Sequence, residues 1–187
     1  MKKLLMIAAL MVAAVSVHAQ NVEEGFYVMP KVGINMAEII GADDTKGRAG
    51  LLTVGAEAGY TIENLGITGA VMYSQQGAKY KNGGGKIELD YIIVPILGEY
   101  YLLKGFAVKA GLQPGFLLKS KSGGVDVKKG CNKFDLSVPI GLSYEYKNIV
   151  LDARYNIGCT KIIKKDYTDD TFKNGVLQIT LGYKFQL

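Results

Sequence analysis

Tryptophan is absent from this chain of 187 residues, histidine occurs once and cysteine twice. The one histidine, His18, lies in an N-terminal segment that reads as a cleavable export signal, so the exported protein would hold no imidazole. Without imidazole a Ser-His-Asp triad cannot be assembled, and the usual general base of hydrolytic or acyl-transfer chemistry is missing. Two cysteines far apart in sequence, with no histidine, do not make a metal site. No catalytic residue, cofactor or metal is therefore expected. Long apolar runs are lacking too. The longest after the export signal, residues 91–97, contains Pro95 and falls far short of the roughly 20 residues of a helical membrane span. Nor is there an excess of one charge. The formal charge of +5 includes Lys2 and Lys3 of the export signal; such a small balance, with no basic-aromatic motif, gives no footing for nucleic acid.

The export signal itself is well formed. Lys2 and Lys3 precede an apolar stretch from Leu4 to Val17, and Val17-His18-Ala19 supplies a small-residue cleavage site before Gln20. The run is too short for an anchor, and Gln20 rather than a cysteine stands directly after the cleavage point, which argues against a lipoprotein. The expected organisation is a signal peptide over residues 1–19 and one domain over residues 20–187.

Within that domain the dominant pattern has period two. From Phe106 the residues Phe106, Val108, Ala110, Leu112, Pro114, Phe116 and Leu118 alternate with Ala107, Lys109, Gly111, Gln113 and Gly115. In a strand such residues fall on opposite faces. The same alternation predicts strands over 25–36, 49–62, 65–80, 86–102, 105–119, 132–146, 149–160 and 174–187. Tight turns are expected at Glu63-Asn64, Leu103-Lys104 and Lys147-Asn148. Longer polar connections cover 39–48, 81–85, 120–131 and 161–173. An even number of strands with short turns on one rim and long loops on the other is the plan of an outer-membrane barrel. The fold class is thus all-β: an eight-stranded antiparallel up-and-down transmembrane β-barrel with short periplasmic turns and longer extracellular loops.

The apolar faces carry no charge. One strand sets Phe134, Leu136, Val138, Ile140, Leu142 and Tyr144 against Asp135, Ser137, Pro139, Gly141, Ser143 and Glu145. If the first set faces lipid, the absence of charge follows, because Lys or Arg at mid-depth costs about 2–4 kcal/mol. Phe26, Tyr60, Tyr100, Phe106, Tyr144, Tyr183 and Phe185 gather near the short-turn ends, as an interfacial girdle does. The rival is a soluble exported ligand-binding barrel with apolar residues inside; against it, the polar face is mostly Gly, Ser and Thr. All four prolines, Pro30, Pro95, Pro114 and Pro139, fall inside strands, where each deletes a ladder donor, so bulges are expected there. In the fourth strand Ile93 and Leu97 would point inward.

Tyr73-Ser74-Gln75-Gln76-Gly77-Ala78-Lys79, Leu89-Asp90-Tyr91-Ile92-Ile93-Val94-Pro95 and Ala110-Gly111-Leu112-Gln113-Pro114-Gly115, with Asp152-Ala153-Arg154-Tyr155-Asn156-Ile157-Gly158 and the closing Leu181-Gly182-Tyr183-Lys184-Phe185, resemble the PorT-type outer-membrane β-barrel family of Bacteroidetes. The resemblance covers nearly all of the chain from about Lys31 onward. It implies the barrel fold and the outer membrane of a Gram-negative bacterium, with membrane lipid, lipopolysaccharide and the barrel-assembly machinery as partners; it does not fix a function.

The inward-facing charges are Lys31, Lys109, Arg154 and Lys184 against Glu57, Glu99, Asp135, Glu145 and Asp152. Near balance suits a salt-bridged plug, since eight strands leave only enough interior for side chains; a narrow channel for small solutes is the alternative. Among the loop carboxylates, Asp166 with Asp169 or Asp170 reads as a solvated cluster rather than a catalytic pair. Gly83-Gly84-Gly85 reads as a hairpin tip, because no helix follows to make a phosphate loop. Cys131 and Cys159 stand about five positions out of register across the hairpin at Lys147-Asn148. A loop folding back would let them form a disulfide; otherwise both are free thiols. Lys119, Lys121, Lys128, Lys129, Lys161, Lys164 and Lys165 make the loops basic, which suits anionic outer-leaflet groups as well as simple solvation.

Overall fold

The computed structural model describes residues 24–42, 44–81, 85–163 and 171–187. The signal peptide expected at residues 1–19 lies outside them, as do Gly83, Gly84, Lys164, Lys165, Asp166, Asp169 and Asp170. The strands are β1 (Gly25–Ile40), β2 (Thr45–Ile62), β3 (Leu65–Tyr80), β4 (Lys86–Ile93), β5 (Ile96–Leu103), β6 (Phe106–Ser122), the short β7 (Val125–Asp126), β8 (Phe134–Tyr146), β9 (Ile149–Gly158), β10 (Lys173–Tyr183) and β11 (Phe185–Gln186).

β4 and β5 are two halves of one stave, as are β10 and β11, and β7 is a loop hairpin on the end of β6. Eight antiparallel staves remain. They close because β1 pairs with β2 on one side and with β10 and β11 on the other, Lys31 facing Gly55 and Gly182. Closure leaves no open edge, the condition for a sheet to cross a bilayer.

Face assignment follows the alternation in the chain. Ile140 is 55% exposed on the outer wall while Asp135 is buried within. Leu52, Val54, Tyr60, Leu112, Leu142, Leu151 and Leu181 also point outward, and Thr53, Glu57, Gln113, Asp152 and Thr180 inward. Ile93 and Leu97 are buried inside, as their parity requires. A soluble barrel with an apolar centre would reverse this order along the membrane-spanning wall, and that reading is set aside there. The girdle forms through contacts between neighbouring strands: Phe26 lies 4.5 Å from Tyr60 and Tyr183 4.8 Å from Phe185, ring centre to ring centre.

Three details differ from the sequence expectation. The second tight turn is Lys104-Gly105, where Gly105 takes a φ of 76°, rather than Leu103-Lys104. The strands on the loop side run further: β1 reaches Ile40, β2 begins at Thr45 and β6 continues to Ser122. Only Pro95 interrupts its strand. Pairing passes through Pro30, Pro114 and Pro139 in unbroken register, with no bulge. A bulge would carry every later side chain to the wrong face, a larger penalty than the about 0.5–1.5 kcal/mol of one missing ladder bond. The register shifts occur elsewhere, toward the loop end, between Asn35 and Ala37, Gly47 and Thr53, and Asp90 and Tyr91, with one near a tight turn at Tyr101 and Leu103. The shift opposite Asp90 leaves Leu118 as an extra residue, so Ser120 faces inward and Lys119 outward.

Glycine makes room for large inward side chains. A Cβ on Gly59 would lie 2.5 Å from Tyr27 Cζ, and Tyr27 is buried beside it. Gly59→Val is therefore expected to lower stability by about 1–3 kcal/mol through overpacking. Urea unfolding in lipid vesicles measures this, and Tyr27→Ala in the same chain should recover most of the loss.

Candidate functional site: the barrel interior

Two chemically different zones fill the barrel. On the short-turn side six charged side chains from β1, β2, β5, β6 and β9 converge. Lys31 Nζ lies 2.9 Å from Glu57 and 3.2 Å from Asp152. Lys109 Nζ lies 2.6 Å from Glu99, 3.1 Å from Asp152 and 3.7 Å from Glu57. Arg154 Nε lies 3.4 Å from Asp152. Three cations thus meet three carboxylates, all buried. Removing such groups from water costs several kcal/mol per ion unless each finds a partner, and here every member has at least one.

The remaining inward charges separate from this cluster. Lys184 and Glu145 pair at 2.9 Å nearer the short turns, with the ammonium 4.7 Å from the Tyr27 ring centre. Asp135, expected to join the network, makes none of the ion pairs found among the described residues. Its Oδ1 accepts hydrogen bonds from Thr160 Oγ1 at 3.0 Å and Asn174 Nδ2 at 3.3 Å. It stands at the loop end of β8, away from the cluster. Around the cluster lies an uncharged polar layer in which Gln178 donates to Thr53 at 2.9 Å, Asn35 to Ser74 at 2.9 Å and Gln113 to Ser137 at 3.2 Å. Beside Lys109, Glu99 and Lys184 the free space is only about 10 Å³, the room of about one water molecule.

On the loop side the interior turns apolar, which departs from the polar filling expected throughout. Ala70, Met72, Leu89, Tyr91, Ile93, Leu117, Cys131 and Ile162 form one buried cluster, flanked by Ile39, Ile87, Val127, Ile163 and Phe172. Above it opens a cavity of about 560 Å³. The reason lies in strand length. β2 has 18 residues and β6 has 17, whereas a tilted strand crosses a bilayer in about 9–11. The excess projects past the lipid on the loop side. There water lies outside, so the polarity rule inverts to that of a soluble barrel. The charges mark the crossing level: outward residues are uncharged from Leu52 to Ile62, while Glu38, Lys46, Lys79, Lys86 and Lys119 are exposed beyond it. Lys86 pairs with Glu88 at 2.6 Å and Lys119 with Asp90 at 3.8 Å on that outer surface. The signal was present in the chain: Ile87, Leu89, Tyr91 and Ile93 share one face of β4, opposite Glu88 and Asp90.

Both cysteines are free. Cys131 lines the apolar cavity, its sulfur 3.2 Å from Ser120 Oγ, whereas Cys159 is exposed. The loop does fold back, through a bridge between Cys131 and Ile163, but it carries Cys131 inward and away from its possible partner.

A search among curated proteins finds no match. Solved structures do resemble the chain. Neisserial surface protein A matches with a TM-score of 0.55 at 21% identity, over 86% of this chain and 97% of that one. Ail, the attachment invasion locus protein of Yersinia pestis, matches with a TM-score of 0.52 at 19% identity, over 87% of this chain and all of the other. OprG of Pseudomonas aeruginosa gives 0.50 at 14% identity, over 91% of this chain. Identities this low speak for the fold alone. The family model of the outer membrane protein beta-barrel domain spans residues 5–185. With the closed ring of eight staves and its uncharged outer wall, this places the chain in the outer membrane protein beta-barrel domain family, in the outer membrane of a Gram-negative bacterium.

Proposed function

We propose that this protein is a non-enzymatic outer-membrane barrel whose charged interior is a structural plug, with a role in envelope structure, adhesion or as partner in a larger outer-membrane assembly, as in the PorT-type branch. The single observation that carries the plug is the buried cluster of Lys31, Lys109, Arg154, Glu57, Glu99 and Asp152. These charges neutralise one another, so no sign is left over to select an ion. The missing imidazole in residues 20–187 supports the non-enzymatic reading, and loops presented above the membrane support adhesion or assembly. Residues 1–19 act as the export signal, and the barrel-assembly machinery inserts the folded product.

A narrow channel is the second reading. It draws on Arg154 Nη1, Gln113 Oε1 and Asn156 Oδ1, buried atoms that make no hydrogen bond among the described residues and would favour water along the axis. Planar-bilayer recording separates the two. The plug predicts no steady openings in the intact protein and openings only after a charge in the cluster is removed. Steady conductance of the unaltered chain would establish the channel instead.

A further inference from the structure

We propose that the apolar cavity at the loop end binds a single-chain carboxylate amphiphile, with its alkyl tail in the cup and its head group at a lysine-rich rim. Three observations converge. The cup has the size of a small-molecule site, about 560 Å³ against about 300–1,000 Å³ for such pockets in general. Its wall is built from Ile39, Ile87, Leu89, Val127, Ile162 and Phe172, drawn from several strands and two loops. Its base is closed by the buried cluster around Tyr91 and Met72, with the charged plug beyond, so a ligand enters and leaves by one end.

The head group follows from charge. The described residues around the mouth, 44–46, 79–81, 85–86, 119–133, 159–163 and 171–173, include eleven lysines against two aspartates, of which Asp44 stands on the cavity wall. The formal charge of the entire chain is only +5, so the positive excess is concentrated at this rim. Such a field attracts an anion and repels a cation, and salt weakens both effects. The rim also offers hydroxyl groups: Tyr80 Oη and Ser122 Oγ, both on the cavity wall, lie 2.9 Å apart. A tail without a head group would leave that rim unused, and a doubly acylated lipid would have to be lifted out of the leaflet to enter from above. A free long-chain carboxylate satisfies both ends.

The test uses the full barrel in nanodiscs, with radiolabelled dodecanoate as probe and empty nanodiscs to correct for partition into lipid. Saturable binding beyond the lipid background is expected, weakened by salt, with little binding of dodecyltrimethylammonium. Ser120→Trp, which fills the cup from β6, should abolish saturation while the folded protein keeps its heat-modifiable gel mobility. A second measurement needs no variant. Cys131 lines the cup and Cys159 lies outside it, so dodecanoate at ten times its Kd should slow N-ethylmaleimide modification of Cys131 about tenfold and leave Cys159 unchanged. Uptake no greater than by empty nanodiscs, equal binding of the cationic amphiphile, or identical Cys131 modification rates with and without dodecanoate would each overturn the proposal.

Discussion

Lys109→Met is expected to lower the unfolding free energy by about 3–5 kcal/mol, the usual effect of removing one partner from a buried ion cluster. Lys109 reaches three carboxylates, but they do not depend on it equally. Glu57 and Asp152 keep Lys31 at 2.9 and 3.2 Å. Among the described residues, Glu99 keeps only the Tyr101 hydroxyl, which donates to it at 3.2 Å. Most of the loss should therefore come from a stranded Glu99, and adding Glu99→Gln should recover much of it. Lys184→Met should cost less, because Glu145 is part-exposed and water can solvate what is left. Urea titrations in lipid vesicles, followed by circular dichroism because the chain has no tryptophan, measure all three. The effect on Lys109→Met should change little between low and high salt, since burial limits screening. A loss below about 1 kcal/mol, the level of an exposed pair, would mean that water permeates the cluster and would count against a plug.

Ile140→Arg is expected to cost about 2–4 kcal/mol and Phe26→Arg no more than about 1, the depth dependence of a lipid-facing cation. Ile140 lies near the middle of β8 with its side chain on the outer wall. Phe26 is at the second residue of β1, in the interfacial girdle. The same titration compares them. Equal effects would show that the outer wall does not meet hydrocarbon at the depth assigned to it. The cavity proposal depends on that depth too, because the apolar cup belongs to the part of the wall beyond the lipid.

The period-two alternation was enough to give the barrel. It determines which side chain faces out, because neighbouring residues on a strand must take opposite faces, and a charge-free stripe on a closed sheet has only lipid to meet. Leu136, Val138 and Ile140 outside with Asp135 and Glu145 inside could be read from six consecutive pairs of residues, 134–145. So could Ile93 and Leu97 inside. Which inward charges touch one another could not. Lys31 and Glu57 are 26 residues apart, Lys31 and Asp152 are 121, and their meeting depends on stagger between staves and closure of β1 onto β10. Asp135 shares their face but stands too near the loop end to join those ion pairs, a matter of height along the axis that facing alone does not reveal.

The chain by itself determined the fold class and the facing of the wall, because these are local properties of residue type and parity. Tertiary structure decided which six charges meet, left Cys131 and Cys159 unjoined, and placed an apolar cup above a buried ion cluster. The physical reason is that strands longer than the bilayer pass from hydrocarbon into water, and the preferred face for apolar side chains reverses at a level only the assembled barrel defines.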